Sequence, residues 1–228
     1  MNVALPVPPD GLYYSTAHLL SALVLLLSFA MIYQRRLIGM FNAFAVQSLA
    51  LAAGAAWQAY IQQAPHLYVT AGIALVLKAI IIPLALRWIV RRLDMHRTIE
   101  TALGIGLTML SALALVALSV LLVLPVTSGA SALTREDLSL ALSVILLGLL
   151  LMITRRNAVS QVVGFMSMEN GLILAAIGVK GMPLVVEMSV AFSVMVAFII
   201  FGLFFFRIRE RFDTLDLRTV ESFRGEQR

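Results

Sequence analysis

An all-α, polytopic membrane protein of about seven transmembrane helices is what this sequence predicts, and three observations predict it. Of the 228 residues, 61% are hydrophobic and only 13% are charged. A soluble domain carries about a quarter charged residues, so most of this surface must face lipid. The apolar residues come in continuous runs of about 20, not in alternating ten-residue segments, which is the helical and not the β-barrel pattern. The basic residues stand at the ends of those runs, where bilayer topology places them.

The runs follow in order. Residues 13–33 form the first and lead straight into Gln34, Arg35 and Arg36. No Lys or Arg precedes this run and Asp10 does, so it reads as a retained span and not as a signal peptide. The second run covers 37–61, the third 67–90 and the fourth 101–126. The fifth, 138–153, is the shortest; the sixth covers 157–179 and the seventh 183–206. Of the 17 Lys and Arg, 14 fall on one side: Arg35, Arg36, Arg87, Arg91, Arg92, Arg97, Arg155, Arg156 and six arginines of the tail. Arg135 and Lys180 fall on the other side, and Lys78 lies within a span. The positive-inside bias puts the N-terminus outside and the C-terminus in the cytoplasm, which requires an odd number of spans.

One transmembrane domain, 1–206, and a polar cytoplasmic tail, 207–228, are therefore expected. Within the domain, "LSFAMIYQRRLIGMFNAFAVQSLALAA" has the same plan as "LGLLLMITRRNAVSQVVGFMSMENGLILAA". In each, a span ends at an arginine pair and a span bearing polar residues follows. The echo divides the domain into a three-helix unit (1–100), a fourth helix with an outer loop (101–137) and a second three-helix unit (138–206), parallel in sense.

Composition excludes much chemistry. With no cysteine, disulfides, thiolate metal sites, iron–sulfur clusters and cysteine nucleophiles are all ruled out. Of the three histidines only His18 lies in an apolar run, so no two-histidine haem clamp forms, and His18 reads as a hydrogen-bonded packing residue. There is no phosphate loop, Ser–His–Asp set or HExxH motif. No catalytic residue, metal or cofactor is expected. The net charge of +5 belongs to topology; without aromatics interleaved among the arginines it does not indicate nucleic acid.

The chemistry that remains is carried by ionisable residues inside spans. Glu169 stands near the middle of the sixth run and Lys78 at the centre of the third, about a dozen residues from either end, too deep for its side chain to snorkel. A charge at that depth costs on the order of 3 kcal/mol and recurs in proton relays, so Glu169 is expected to relay protons and Lys78 to be neutral part of the time or paired with a carboxylate, either Glu169 or an acid of a neighbouring subunit. Glu187 lies near the outer start of the seventh run and would serve the outer half of a path, extended by Ser193. Asn170, Ser167 and Gln161 support Glu169 on its own span, with Gln161 and Ser160 approaching the arginine pair. Gln47 holds the corresponding place in the second run, where it can bond but not titrate. Pro83, five residues after Lys78, should loosen the backbone there. Arg35, Arg36, Arg155 and Arg156 are expected to set topology and to meet a cytoplasmic partner.

The segment "RRNAVSQVVGFMSMENG", followed by a glutamate-bearing last span, resembles the three-helix K-type (4L) subunit of complex I, and is similar to the C-type subunit of multi-subunit cation/proton antiporters. The seven-span length and "MENGLILAA…GMPLVVE" resemble the hydrogenase-4 component E family of energy-converting [NiFe]-hydrogenases over essentially the whole chain. Aligned on Arg155, Arg156, Asn157, Gly164 and Asn170, the K-type glutamate falls on Met166, three residues from Glu169 and on about the same helix face. The last K-type glutamate falls near Ser193, nearly two turns inward of Glu187, and the same count places Lys78 at the equivalent site of the first unit. The resemblance implies antiporter-like and K/H-type membrane subunits and cytoplasmic Fe–S and [NiFe]-type subunits as partners. It also implies a bacterial or archaeal cytoplasmic membrane and a part in redox-coupled movement of H⁺ or Na⁺.

Overall fold

Six helices long and apolar enough to cross a bilayer form the described part of the protein. The computed structural model describes residues 10–92, 103–126 and 132–178, and the single positions Met195 and Gly202, both helical and exposed. Helix is the expected outcome in lipid, where each backbone N–H and C=O must be satisfied within its own segment. In order these are α1 (Asp10–Tyr33), α2 (Leu37–Gln62), α3 (65–92), α4 (Ile105–Val126), α5 (Ala132–Thr154) and α6 (Ala158–Gly178). The first six predicted runs are all recovered; of the seventh only Met195 and Gly202 are described, and Glu187, Ser193 and the tail lie outside the described residues. The protein is all-α among those residues and a multi-pass membrane protein.

Short connections make α1–α2, α2–α3 and α5–α6 antiparallel neighbours. Gln63 ends α2 in the left-handed region (φ 54°), and the N–H groups of Gln63 and Ala64 both return to the Ala59 carbonyl. Pro65 then opens α3, where its missing N–H costs nothing. The α5–α6 connection is closed by Asn157, whose Oδ1 accepts from the Val159 N–H at 2.9 Å as a helix cap.

The core lies between α1, α2, α5 and α6, around Val24, Leu51, Ala55, Val144, Ile173 and Ile177. Helix α3 packs on α2, and α4 packs on α5 and α1. The closest approach is α5 against α6, and small residues permit it. A Cβ added at Gly148 would lie 2.5 Å from the Met168 backbone nitrogen, and one at Gly171 would lie 2.8 Å from that of Ile145. Lipid offers no hydrophobic drive for helix association, so such close backbone contact supplies the dispersion that holds the pair.

Helix α3 is not uniform. Its middle, Ala74–Ile81, is π-helical, between the α-helical pieces Pro65–Ile73 and Ile82–Arg92. Pro83 accounts for this. Its ring would strike the Ala79 carbonyl in a regular α-helix and it offers no N–H in return, so the preceding turns widen to i→i+5 bonding, as from Ile82 N–H to Leu77 O. The widened stretch carries Lys78.

Candidate functional site

Of the two partners open to Lys78, the structure brings Glu169 to it. Lys78 on α3 and Glu169 on α6 lie with Nζ and Oε2 3.3 Å apart, and their side chains are 1% and 2% exposed. The π-helical stretch of α3 aims Lys78 inward, and its Nζ also donates to Asn170 Oδ1 at 2.9 Å. From Asn170 the bonds run on into the protein. Its Nδ2 donates to Gln47 Oε1 at 3.1 Å and to Ser48 Oγ at 3.2 Å, both on α2. Gln47 Nε2 in turn donates to Ser28 Oγ at 2.7 Å on α1 and to Ser167 Oγ at 3.1 Å on α6, and lies 3.3 Å from the Val24 carbonyl. Four helices thus contribute to one continuous polar network, and every side chain in it is buried.

Each residue of the network has a polar partner, Glu169 Oε2 meeting Lys78 as an ion pair and not through a hydrogen bond, and this is what lets them sit in an apolar interior. An ion pair at this depth is held only if the remaining donors and acceptors are also bonded. Asn170 joins the charged half to the neutral half: one end of its amide accepts from Lys78 and the other donates to α2. Ser28 donates to the Val24 carbonyl of its own helix at 3.1 Å, which leaves its lone pairs free for Gln47.

Of the residues singled out from sequence, Lys78, Glu169, Asn170, Ser167 and Gln47 meet in this network. Gln161 does not join it. It is exposed and donates to the Arg155 carbonyl at 2.9 Å, at the end of the bundle where the arginine pair lies. Glu187 and Ser193 lie outside the described residues. Ser28 and Ser48 belong to the network and were not expected. A signal existed in part: Ser48 follows Gln47 directly, and Ser28 lies seven residues after Ser21, two turns along the same face of α1. Lone serines in apolar spans are common enough that this spacing alone could not select them.

The arginines divide. Arg35, Arg36 and Arg156 are available at the surface, but Arg155 is 2% exposed. Its Nη2 donates to the carbonyls of Ile32 at 2.6 Å and Met31 at 3.3 Å, the last turn of α1. Burial pushes its pKa down from the usual arginine value. A guanidinium at the negative end of a helix dipole clamps α1 to the α5–α6 connection. Arg155 is thus turned toward α1 through Nη2, whereas Arg156 is at the surface. His18 is hydrogen-bonded, as expected, with its Nδ1 3.5 Å from Asp137 Oδ1 on α5, and it is partly exposed.

Among the described residues, no group of three or more His, Cys, Asp or Glu is gathered to hold a metal. The arrangement holds an acid and a base in contact inside a hydrogen-bonded network.

Comparison with known proteins follows the same line as the motifs. The chain is 28% identical over 184 residues to hydrogenase-4 component E of Escherichia coli (strain K12), covering 80% of this chain and 85% of that protein. The same figures hold for hydrogenase-4 component E of Shigella flexneri. An uncharacterized protein of Mycobacterium tuberculosis, Rv0085, is 34% identical over 101 residues, 44% of this chain and 46% of that one. No family model matches the sequence, and no solved structure matches the fold. Over four-fifths of its length, then, the chain is similar to hydrogenase-4 component E, the family its motifs also resemble.

Proposed function

We propose that this protein is a membrane-arm subunit of a complex-I-related, energy-converting hydrogenase-type complex in a bacterial or archaeal cytoplasmic membrane. Its buried Lys78–Glu169 pair takes part in redox-coupled translocation of protons or sodium. One observation carries the reading: an acid and a base 3.3 Å apart, both almost fully buried, bonded into a network that reaches α1 through Asn170 and Gln47. Buried pairs are often no more stabilising than apolar packing of the same volume, so stability alone is a weak reason to keep one. Groups that gain and lose a proton at mid-bilayer depth are characteristic of ion pathways. The likeness to hydrogenase-4 component E supports the host.

In this reading Lys78 and Glu169 exchange a proton as the charge on a neighbouring subunit changes, and Asn170 and Gln47 hold the pair in register. Glu187, with Ser193, serves the outer half. Antiporter-like and K/H-type membrane subunits are the lateral partners. Fe–S and [NiFe]-type subunits dock on the cytoplasmic side, where Arg35, Arg36 and Arg156 would meet them. The chain itself carries no electrons. Three-helix units at 1–100 and 138–206 would place Lys78 and the neighbourhood of Ser193 at equivalent sites, with Glu187 nearly two turns further out.

Glu169→Gln and Lys78→Ala in the intact complex provide the test. Ion translocation measured in sealed vesicles should fall at least tenfold, while hydrogen or quinone chemistry and subunit composition persist. The rival reading, a structural linker whose charges only pair, predicts the reverse: translocation per assembled complex unchanged and assembly impaired. A subunit of a cation/proton antiporter would show the translocation loss in a complex without a [NiFe]-type subunit.

A further inference from the structure

Among the described residues, ionisable groups also meet across helices at the end of the bundle where α1 and α5 begin and α2 and α6 end. His18 Nδ1 on α1 lies 3.5 Å from Asp137 Oδ1 on α5, and His18 Nε2 lies 3.7 Å from Glu136 Oε2. These side chains are 39%, 22% and 58% exposed, so all three reach the outside. Asp137 also lines a crevice between α1, α2, α5 and α6, with Ser21, Val24, Gly54 and Gln58. Its free volume is about 10 Å³, the lower limit for one ordered water. Gly54 helps to keep it open, since a Cβ there would meet nothing nearer than Leu20 Cβ at 3.8 Å.

The crevice leads toward the buried network. The carbonyl of Val24, in the crevice wall, accepts from Ser28 Oγ at 3.1 Å and lies 3.3 Å from Gln47 Nε2. Ser21, Val24 and Ser28 recur at three- and four-residue spacing, which lines them along one face of α1. Ser21 in the crevice and Ser28 in the network thus stand two turns apart on that face with Val24 between them, and Asp137 and His18 lie at the outer end.

We propose that this crevice is the aqueous port of the Lys78–Glu169 network, with Asp137 and His18 at its mouth exchanging protons with the water outside. The port rests on the proton-path reading above. The step is a proton transfer between carboxyl, imidazole and water, and only O–H and N–H bonds form and break. Facing Asp137 are His18 from α1 and Glu136 from its own helix; α2 and α6 contribute Gln58 and Gly178 to the crevice, and neither titrates.

The chain has no cysteine of its own, which makes a direct test available in membranes holding the assembled complex. Ser21→Cys places a thiol in the crevice. Ser143→Cys places one on the buried face of α5 away from the crevice, where Ser143 is 1% exposed, against 7% for Ser21, and bonded to Ser119 of α4. Silver ion, small enough to follow water, is added, and the fraction of each thiol protected is read by mass spectrometry of the denatured chain. Ser21→Cys should be protected at least tenfold faster than Ser143→Cys; equal rates would overturn the port whatever Lys78 and Glu169 do. Asp137→Asn should slow translocation at least fivefold, and His18→Gln should shift its pH profile. If Asp137→Asn leaves rate and profile unchanged while Glu169→Gln abolishes translocation, the port is elsewhere and the network stands. If neither substitution has an effect, the proton-path reading fails and the port fails with it.

Discussion

Helices α4 and α6 are the same length to within a residue and behave as opposites. The α4 span has a mean hydropathy of 2.7 and only 22% of it is buried, whereas the α6 span has 1.3 and 61% is buried. Leu110, Leu113 and Leu121 of α4 are each more than half exposed, while Ser160, Ser167, Glu169 and Asn170 of α6 are all buried. In water the ranking would be reversed. Lipid is as apolar as leucine, so leucine gains little by leaving it, and polar groups gain by finding one another inside. The polar content of a span is therefore the better guide to which helix occupies the centre. The most deeply buried hydroxyl of α4 fits the rule, since Ser119 packs against Ser143 and the Ser139 carbonyl of α5.

This contrast can be broken most forcefully at the ion pair. Lys78→Met leaves the Glu169 carboxyl without its cation, and should cost about 3–5 kcal/mol of unfolding free energy in detergent. Lys78→Met combined with Glu169→Leu should recover most of that, and a double-mutant cycle measures the coupling. If the single substitution is silent, the pair does not hold α3 to α6. At the next level down, Gly148→Ala pushes a methyl into the Met168 backbone and should cost about 1–3 kcal/mol by overpacking, read as a lower melting temperature. Gly72, which has nothing within 4 Å of an added Cβ, serves as the control. Arg155→Ala frees the last carbonyls of α1 and should cost about 1–2 kcal/mol, with faster hydrogen exchange confined to the end of α1. Smallest of all, Leu113→Ala on the lipid face of α4 should stay within about 0.5 kcal/mol. A large effect there would mean that a partner covers α4.

Much of this was legible beforehand. Six spans could be placed because lipid forces long apolar runs into helices, and that constraint acts on each run separately. Lys78 and Glu169 stood out for a similar reason: a charge at the middle of a span is costly whatever surrounds it, so its presence alone implies a partner. The amides Asn170 and Gln47 were visible as residues that could bond. Their order in the network was not, because a hydrogen-bonded chain depends on which faces of four helices meet.

The sequence by itself determined the environment of each segment, since hydropathy and charge are summed locally along the chain. Tertiary structure alone decided that Lys78 meets Glu169 through a π-helical stretch set by Pro83, and that Arg155 turns inward to α1 while Arg156 faces out. It also decided that His18 stands beside Asp137, 119 residues away in sequence. These choices depend on helix rotation and ångström-scale approach between segments far apart in the chain, and no single run of residues encodes them.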